Sequence, residues 1–318
     1  MSAAVREPAN ENDRTLVSTD LLEVRHRTVY RYKKPVTFEA HRGMFRPHEG
    51  NDLRLLGMQV TAEPEAVFHW VHDVFSNSIT VMEFVEPADR LEVTATFSVV
   101  SSHVENPKFP IEPFAEAFPF RYPSEQVVDL ATLIAPEYSR PGESVKDWAQ
   151  AIAASAPQQT MDVLQAINAA VKADFAYERR EEPGIQTPRE TLDRGAGSCR
   201  DFAVLMLDAV RQLGFAARFV TGYLYDPITD EPTADATIVG AGATHAWIQV
   251  FLPGAGWIEF DPTNGLVASG NLIRTGVART PAQAAPLRGA FVGASEDFLD
   301  MTVEVEVRST APTLAGYV

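Results

Sequence analysis

The sequence predicts an α+β protein, an N-terminal antiparallel β-sandwich-like domain followed by a core of helices packed on an antiparallel sheet. Three observations carry that expectation. Residues 21–103 read as short alternating strands, residues 143–213 switch to a helical period, and strand patterns return from Phe215 onward. A hydrophobic fraction of 45% and a charged fraction of 22% over 318 residues describe an ordinary soluble globular chain, long enough for two domains.

The first 20 residues, MSAAVREPANENDRTLVSTD, are polar, lack the apolar stretch of a signal peptide and read as disordered. No run approaches the roughly 18 apolar residues of a membrane span, so the expected location is the cytoplasm. A formal charge of −16 argues against nucleic acid and anionic membranes as partners, since both repel a polyanion. A single cysteine excludes an internal disulfide.

Between Leu21 and His103, the stretches LLEVRHRTVYRY, DLRLLGMQVTAEP, AVFHWVHDVF, NSITVMEFVEP and DRLEVTATFSVV are rich in β-branched and aromatic residues and are punctuated by Asp, Asn, Pro and Gly. Residues 104–142, with NPKFPIEPFAEAFPFRYP, read as an ordered connector that packs aromatics between two bodies. Helices are expected at Glu143–Ala154 and Thr160–Asp174, the second with Thr160 as N-cap. The strongest helical pattern runs from Ser198 to Leu213. Ser198 and Asp201 form an [ST]-x-x-[DE] signature, Phe202, Leu205, Met206, Ala209, Val210 and Leu213 make one apolar stripe, and Gly214 ends it. The strands FAARFVTGYLY, THAWIQVFL, GWIEFD and LDMTVEVEV complete a core over 143–307, leaving 308–318 as a tail.

Cys199, the lone thiol, stands at the start of that helix, in GAGSCRDF. Unpaired N–H groups and the positive end of the helix favour a thiolate there, and Arg200 adds a cation. Position alone does not separate this from a free cysteine used as a small hydrophobe. His245 is the one histidine after His103, and Asp261 ends the strand GWIEFD. A cysteine nucleophile needs a base, and the base needs a third group to orient it. The two strands test the geometry. Matching apolar faces pairs Phe251 with Trp257 across the loop LPGAG, which places Asp261 on the face of His245 and diagonal to it, about 7–8 Å away. Asp-Pro-Thr-Asn-Gly also reads as a turn that ends the strand.

Other features carry less. His69 and His72 form H-x-x-H on a strand, where the two face opposite sides without a third ligand, and no EF-hand pattern is present, so no metal or other cofactor is expected. Glu181 and Glu182 read as a solvated loop. Arg200, Trp247, Trp257 and Tyr223 are the candidates to wall the cleft, with core packing the alternative for the three aromatics.

Three blocks, FAYERREEPGIQTPRETLDRGAG, GSCRDFAVLMLDAVRQLGFAARFVTGYL and THAWIQVFLPGAGWIEFDPTNG, resemble the bacterial transglutaminase-like proteins of the papain-like cysteine enzyme superfamily. HRTVYRYKKPV from His26 and HRGMFRPH from His41 resemble the N-terminal region that often precedes that core. The resemblance implies a papain-like transglutaminase core with Cys199 as nucleophile, His245 as base and Asp261 as acid. It also implies acyl transfer through a thioester on a peptide or protein amide. Tyr177 is a candidate oxyanion donor beside the backbone N–H of Cys199. Arg200 stands where the family often has Gln or Glu, which bears on acyl-substrate preference, and GVARTPAQAAP after the turn departs from the family's pattern. The expected function is a cysteine-dependent amide hydrolase or acyltransferase, a peptidase or amidase. The alternatives are a protein-crosslinking transglutaminase and a non-catalytic peptide-binding module that keeps the fold.

Overall fold

The computed structural model describes residues 16–104, 107–138, 144–179, 184–227, 242–310 and 314–317. The chain begins with strands β1 (Leu16–Phe38), β2 (His41–Gly43), β3 (Leu53–Glu63), β4 (Ala66–His72), β5 (Ser78–Phe84) and β6 (Ala88–Val104). Helices α1 (Pro113–Glu116), α2 (Ser124–Ile134), α3 (Ser144–Ser155) and α4 (Thr160–Asp174) follow, then β7 (Ala176–Tyr177), α5 (Pro188–Arg194), β8 (Ala196–Gly197) and α6 (Cys199–Gln212). The remainder is β9 (Ala217–Leu224), β10 (His245–Leu252), β11 (Gly256–Asp261), β12 (Leu266–Val267), β13 (Leu272–Ala278), β14 (Leu287–Arg288), β15 (Phe291–Val292), β16 (Phe298–Ser309) and β17 (Leu314–Tyr317).

The N-terminal body is two antiparallel sheets. One has the order β15-β1-β6-β3, with β16 and β17 also on β1, and the other the order β14-β2-β5-β4. Alternation makes them face each other. On β6 the buried residues Leu91, Val93, Ala95, Phe97 and Val99 point one way. Tyr32, Phe38, Phe45, Met82 and Leu91 fill part of the space between the sheets.

The second body is an antiparallel sheet in the order β12-β11-β10-β9-β13. The α6 stripe Phe202, Leu205, Met206, Ala209 and Val210 is fully buried against Ala246, Ile248 and Val250 of β10, with α3 and α4 completing the layer. Each large apolar side chain so buried contributes about 1.5–3 kcal/mol. Gly214 closes α6 at φ +95°, a left-handed conformation that glycine adopts without strain.

Several features differ from expectation. Leu16–Asp20, expected to be disordered, belong to β1, and Leu314–Tyr317 of the expected tail pair with its first residues as β17, so each terminal segment supplies the other's hydrogen-bond partners. The closing strand LDMTVEVEV, expected in the core, pairs instead with β1, from Leu22↔Ser309 to Tyr32↔Phe298. The reason is that β6 occupies one edge of β1, and β16, apolar at Val303, Val305 and Val307, covers the other while packing on Leu22, Val24 and Phe97. The connector contains two helices, α1 and α2, the second of which buries Leu130 and Leu133. Its aromatics do pack, with Tyr122 Oη donating to the Phe251 carbonyl (2.7 Å) and accepting from the Ala216 amide (2.9 Å). Thr160 starts α4, but Gln159 is the N-cap, because the Thr160 hydroxyl donates to the buried Ala115 carbonyl at 2.6 Å.

Polar contacts orient the two bodies. Arg274 of β13 forms a bidentate pair with Asp52 (2.5 and 2.7 Å), and Tyr223 of β9 shares a 2.8 Å hydrogen bond with His26 of β1. Asn77, wholly buried, donates to the Val277 carbonyl (2.7 Å) and accepts from the Val277 amide (2.8 Å), in effect extending β13 by one rung. Among the described residues no helix is long and apolar enough to cross a membrane. Asn77→Ala strands both backbone groups of Val277, and the expected loss is about 2 kcal/mol or more, read from the urea midpoint.

Candidate active site

The turn that presents Cys199 is built by the chain on either side of it. Thr187 and Glu190 cap α5 reciprocally, and Gly195 ends that helix at φ +64°. The chain then forms β8, parallel to β7, with Tyr177 opposite Gly197. Asp201, fully buried, accepts from the Ser198 amide (2.8 Å), the Ser198 hydroxyl (2.8 Å) and the Gln186 amide (2.7 Å). One carboxylate thus caps α6 and ties the preceding loop to it. A Cβ at Gly197 would stand 2.9 Å from that of Asp201, so close packing requires glycine there. Cys199 is the first residue of α6 and is 7% exposed. Cys199 therefore stands in the first turn of α6, where the positive end of the helix lies.

His245 opens β10 at the end of the sheet where α6 begins. β10 and β11 pair with Phe251 opposite Trp257 and Ile248 opposite Phe260, the register that matched apolar faces require. His245 Nε2 donates to Asp261 Oδ2 at 2.9 Å, with both side chains wholly inaccessible. The Asp-Pro-Thr-Asn turn holds the carboxylate from the other side. Asn264 Nδ2 donates to Oδ2 (2.8 Å) and the Thr263 amide to Oδ1 (2.9 Å). Lys172 of α4 donates to the Asn264 carbonyl at 2.8 Å. Trp247 stacks on the imidazole at 5.9 Å and 29°.

These contacts leave Nδ1 without a bond to any protein oxygen or nitrogen, and the ring answers electrostatically to Cys199. Burial works against the charged imidazole, but Asp261 and then Cys199 outweigh it and raise the pKa. Burial likewise works against the Asp261 carboxylate, and the facing imidazole with the turn donors holds its pKa below the ordinary value.

The remaining candidates separate. Tyr177 lies half-buried beside the thiol, and burial, with the nearby Cys199, pushes its hydroxyl up to about 12. Arg200 lines a cavity next to His245. Trp247 takes the core-packing alternative: it is fully buried among Val220, Leu224, Leu272 and Val277, with the imidazole stacked on it. Trp257 stacks under the Arg218 guanidinium (4.1 Å) and lines a different cavity. Tyr223, also fully buried, belongs to the seam between the bodies. His69 pairs with Glu83 (3.5 Å), and among the described residues no cluster of three His, Cys, Asp or Glu could hold a metal. Glu181 and Glu182 lie outside the described residues. Asn264 and Lys172, not singled out from the sequence, brace the carboxylate. The Asp-x-x-Asn spacing signals the first, and nothing local signals the second.

Comparison with known proteins agrees with this architecture. Residues 146–262 match the Transglutaminase-like superfamily, and residues 22–100 match the Bacterial transglutaminase-like N-terminal region. An uncharacterised protein of Mycobacterium tuberculosis is 28% identical over 302 residues, covering 91% of this chain and 94% of that protein. A protein-glutamine gamma-glutamyltransferase of Pseudomonas aeruginosa is 32% identical over 72 residues, 23% of this chain and 10% of that protein. The crystal structure of a candidate cysteine protease from Cytophaga hutchinsonii has the same fold, with a TM-score of 0.67 at 16% identity, covering 95% of this chain and all of that one.

Linkage fixes how the buried pair responds to pH. His245, raised above its unfolded value of 6.5, contributes stability in full below that pH and loses it as the pH climbs through the folded value. Asp261, held below 3.8, contributes above that pH and loses its share as acid protonates it. By NMR titration the His245 ring is expected to stay protonated well above the usual imidazole range, and Asp261→Asn to bring it down, since burial then prevails.

Proposed function

Starting from a chain that carries a transglutaminase-like core behind a bacterial transglutaminase-like N-terminal region, we propose that it is a cysteine-dependent amide hydrolase or acyltransferase, acting as a peptidase or amidase. The observation that carries this reading is the 2.9 Å bond between His245 Nε2 and Asp261, with the opposite ring nitrogen left for Cys199 at the head of α6.

In the proposed reaction, Cys199 Sγ attacks the carbonyl carbon of the amide. The C–N bond breaks as the imidazolium of His245 gives its proton to the departing nitrogen, and a thioester remains. Water then attacks the thioester, giving its proton to His245, and the C–S bond breaks to regenerate the thiol pair. Asp261 holds the imidazole in the tautomer that faces sulfur. The Cys199 amide and the Tyr177 hydroxyl are the proposed donors to the oxyanion. An amine in place of water gives transamidation through the same thioester. The chemistry draws on no metal or cofactor.

The test is the alkylation rate of Cys199 by iodoacetamide near neutral pH. The expected rate exceeds that of a model thiol, and His245→Ala is expected to lower it by about 10². A rate equal to that of the model thiol, unaffected by His245→Ala, overturns the enzyme reading in favour of a binding module. With a reactive thiol, a glutamine-containing peptide and a labelled amine divide hydrolysis from transfer.

A further inference from the structure

The cavity beside His245 holds about 320 Å³, at the small end of ligand pockets and suited to a group the size of one amino acid. Its walls come from α6, the β9–β10 pair, the β1–β16 pair, residues 184–185 before α5 and the segment 281–287. Arg200 comes from the first turn of α6, Phe219 and Ala246 from the face of β9 and β10 that also carries α6, and Tyr30, Met301 and Val303 from the β1–β16 pair of the N-terminal body. The walls are mostly apolar. No Asp or Glu among the described residues lines the cavity, although the chain carries a net charge of −16. Among the described residues Arg200 is the only Arg or Lys of the lining, and no hydrogen bond or ion pair between described residues engages its guanidinium. His26, also on the wall, is held by Tyr223 and Thr28, and burial lowers its pKa to about 4, so it is neutral near pH 7.

Position decides which half of a substrate enters. The atom that takes a proton from His245 is the departing nitrogen, so the group attached to that nitrogen lies on the His245 side of the thiol. We propose that this cavity receives the leaving group, and that the leaving group is an apolar amino acid with a free α-carboxylate, paired with Arg200. This rests on the nucleophile and base assigned above. The protein would then release a C-terminal apolar residue from a short peptide, or cleave an N-acyl apolar amino acid. The acyl carbon stays on Sγ and the C–N bond breaks. The electron pair remains on nitrogen, which takes the proton of His245, and the amino acid leaves with its carboxylate unchanged. A guanidinium–carboxylate pair in a water-poor cleft supplies the recognition.

The experiment uses the full chain with Cys199→Ala and calorimetric titration with N-acetyl-L-leucine, N-acetyl-L-leucinamide and N-acetylglycine. The acid is expected to bind about tenfold more tightly than its amide, the worth of one charge-assisted pair. N-acetylglycine is expected to bind more weakly than N-acetyl-L-leucine, because it leaves the apolar wall uncovered. Arg200→Gln should erase the preference for the acid, and Arg200→Lys should retain part of it. Equal affinity for acid and amide, or a preference that survives Arg200→Gln, overturns the proposal. Iodoacetamide reactivity of the unmutated chain keeps the two readings apart. A reactive Cys199 without carboxylate preference sinks only the leaving-group assignment. A carboxylate preference with an inert thiol supports the ligand and overturns the nucleophile.

Discussion

The buried pair between His245 and Asp261 is the constraint that much of the core serves. Both side chains are inaccessible to water, and an ionised carboxylate in such a place is costly unless every lone pair is met. The surrounding residues meet them. The β10–β11 register brings the carboxylate to the imidazole, and the turn after Asp261 contributes Asn264 and the Thr263 amide. Lys172 reaches from another helix to fix that turn. Trp247 closes the side of the ring away from solvent. A one-residue slip of β11 would send Asp261 to the opposite face and leave two buried groups unmatched. The register is therefore enforced twice, by apolar packing and by electrostatics.

A second set of contacts fixes how the N-terminal body leans on the core. The hydrogen bonds of Asn77 with Val277, the pair of His26 with Tyr223 and the Arg274–Asp52 fork are directional. Such contacts set angle and position more than they add adhesion, because their net worth is small while the loss of one partner is expensive. The result is a cleft wall, β1 with β16, held at a defined distance from the thiol helix.

Much of this was legible in the sequence because the signals are local. Period-two alternation in HAWIQVFL and GWIEFD specifies faces, and a five-residue loop specifies register, which together carry the approach of His245 to Asp261. The Ser198–Asp201 spacing and the apolar stripe specify α6. What escaped is non-local. Alternation in LDMTVEVEV says that one face is buried and is silent on which strand lies beside it, so its place on β1 could not be read. Trp247 and Tyr223 are large aromatics whose sequence surroundings do not distinguish an open wall from a sealed one. Lys172 touches the site only because α4 packs across the core, which no local pattern encodes.

The pairing of β1 with β16 has a consequence for how the molecule comes into being. Arg31 and Asp300, bonded across these strands, are 269 residues apart. During synthesis the thiol helix and all five strands of the core sheet emerge before β16 exists, while β1 waits with one edge unpaired. The core sheet has all its strands while the cleft still lacks a side. Chain elongation thus orders the assembly, with Cys199, His245 and Asp261 first and the surface that encloses their neighbouring cavity last.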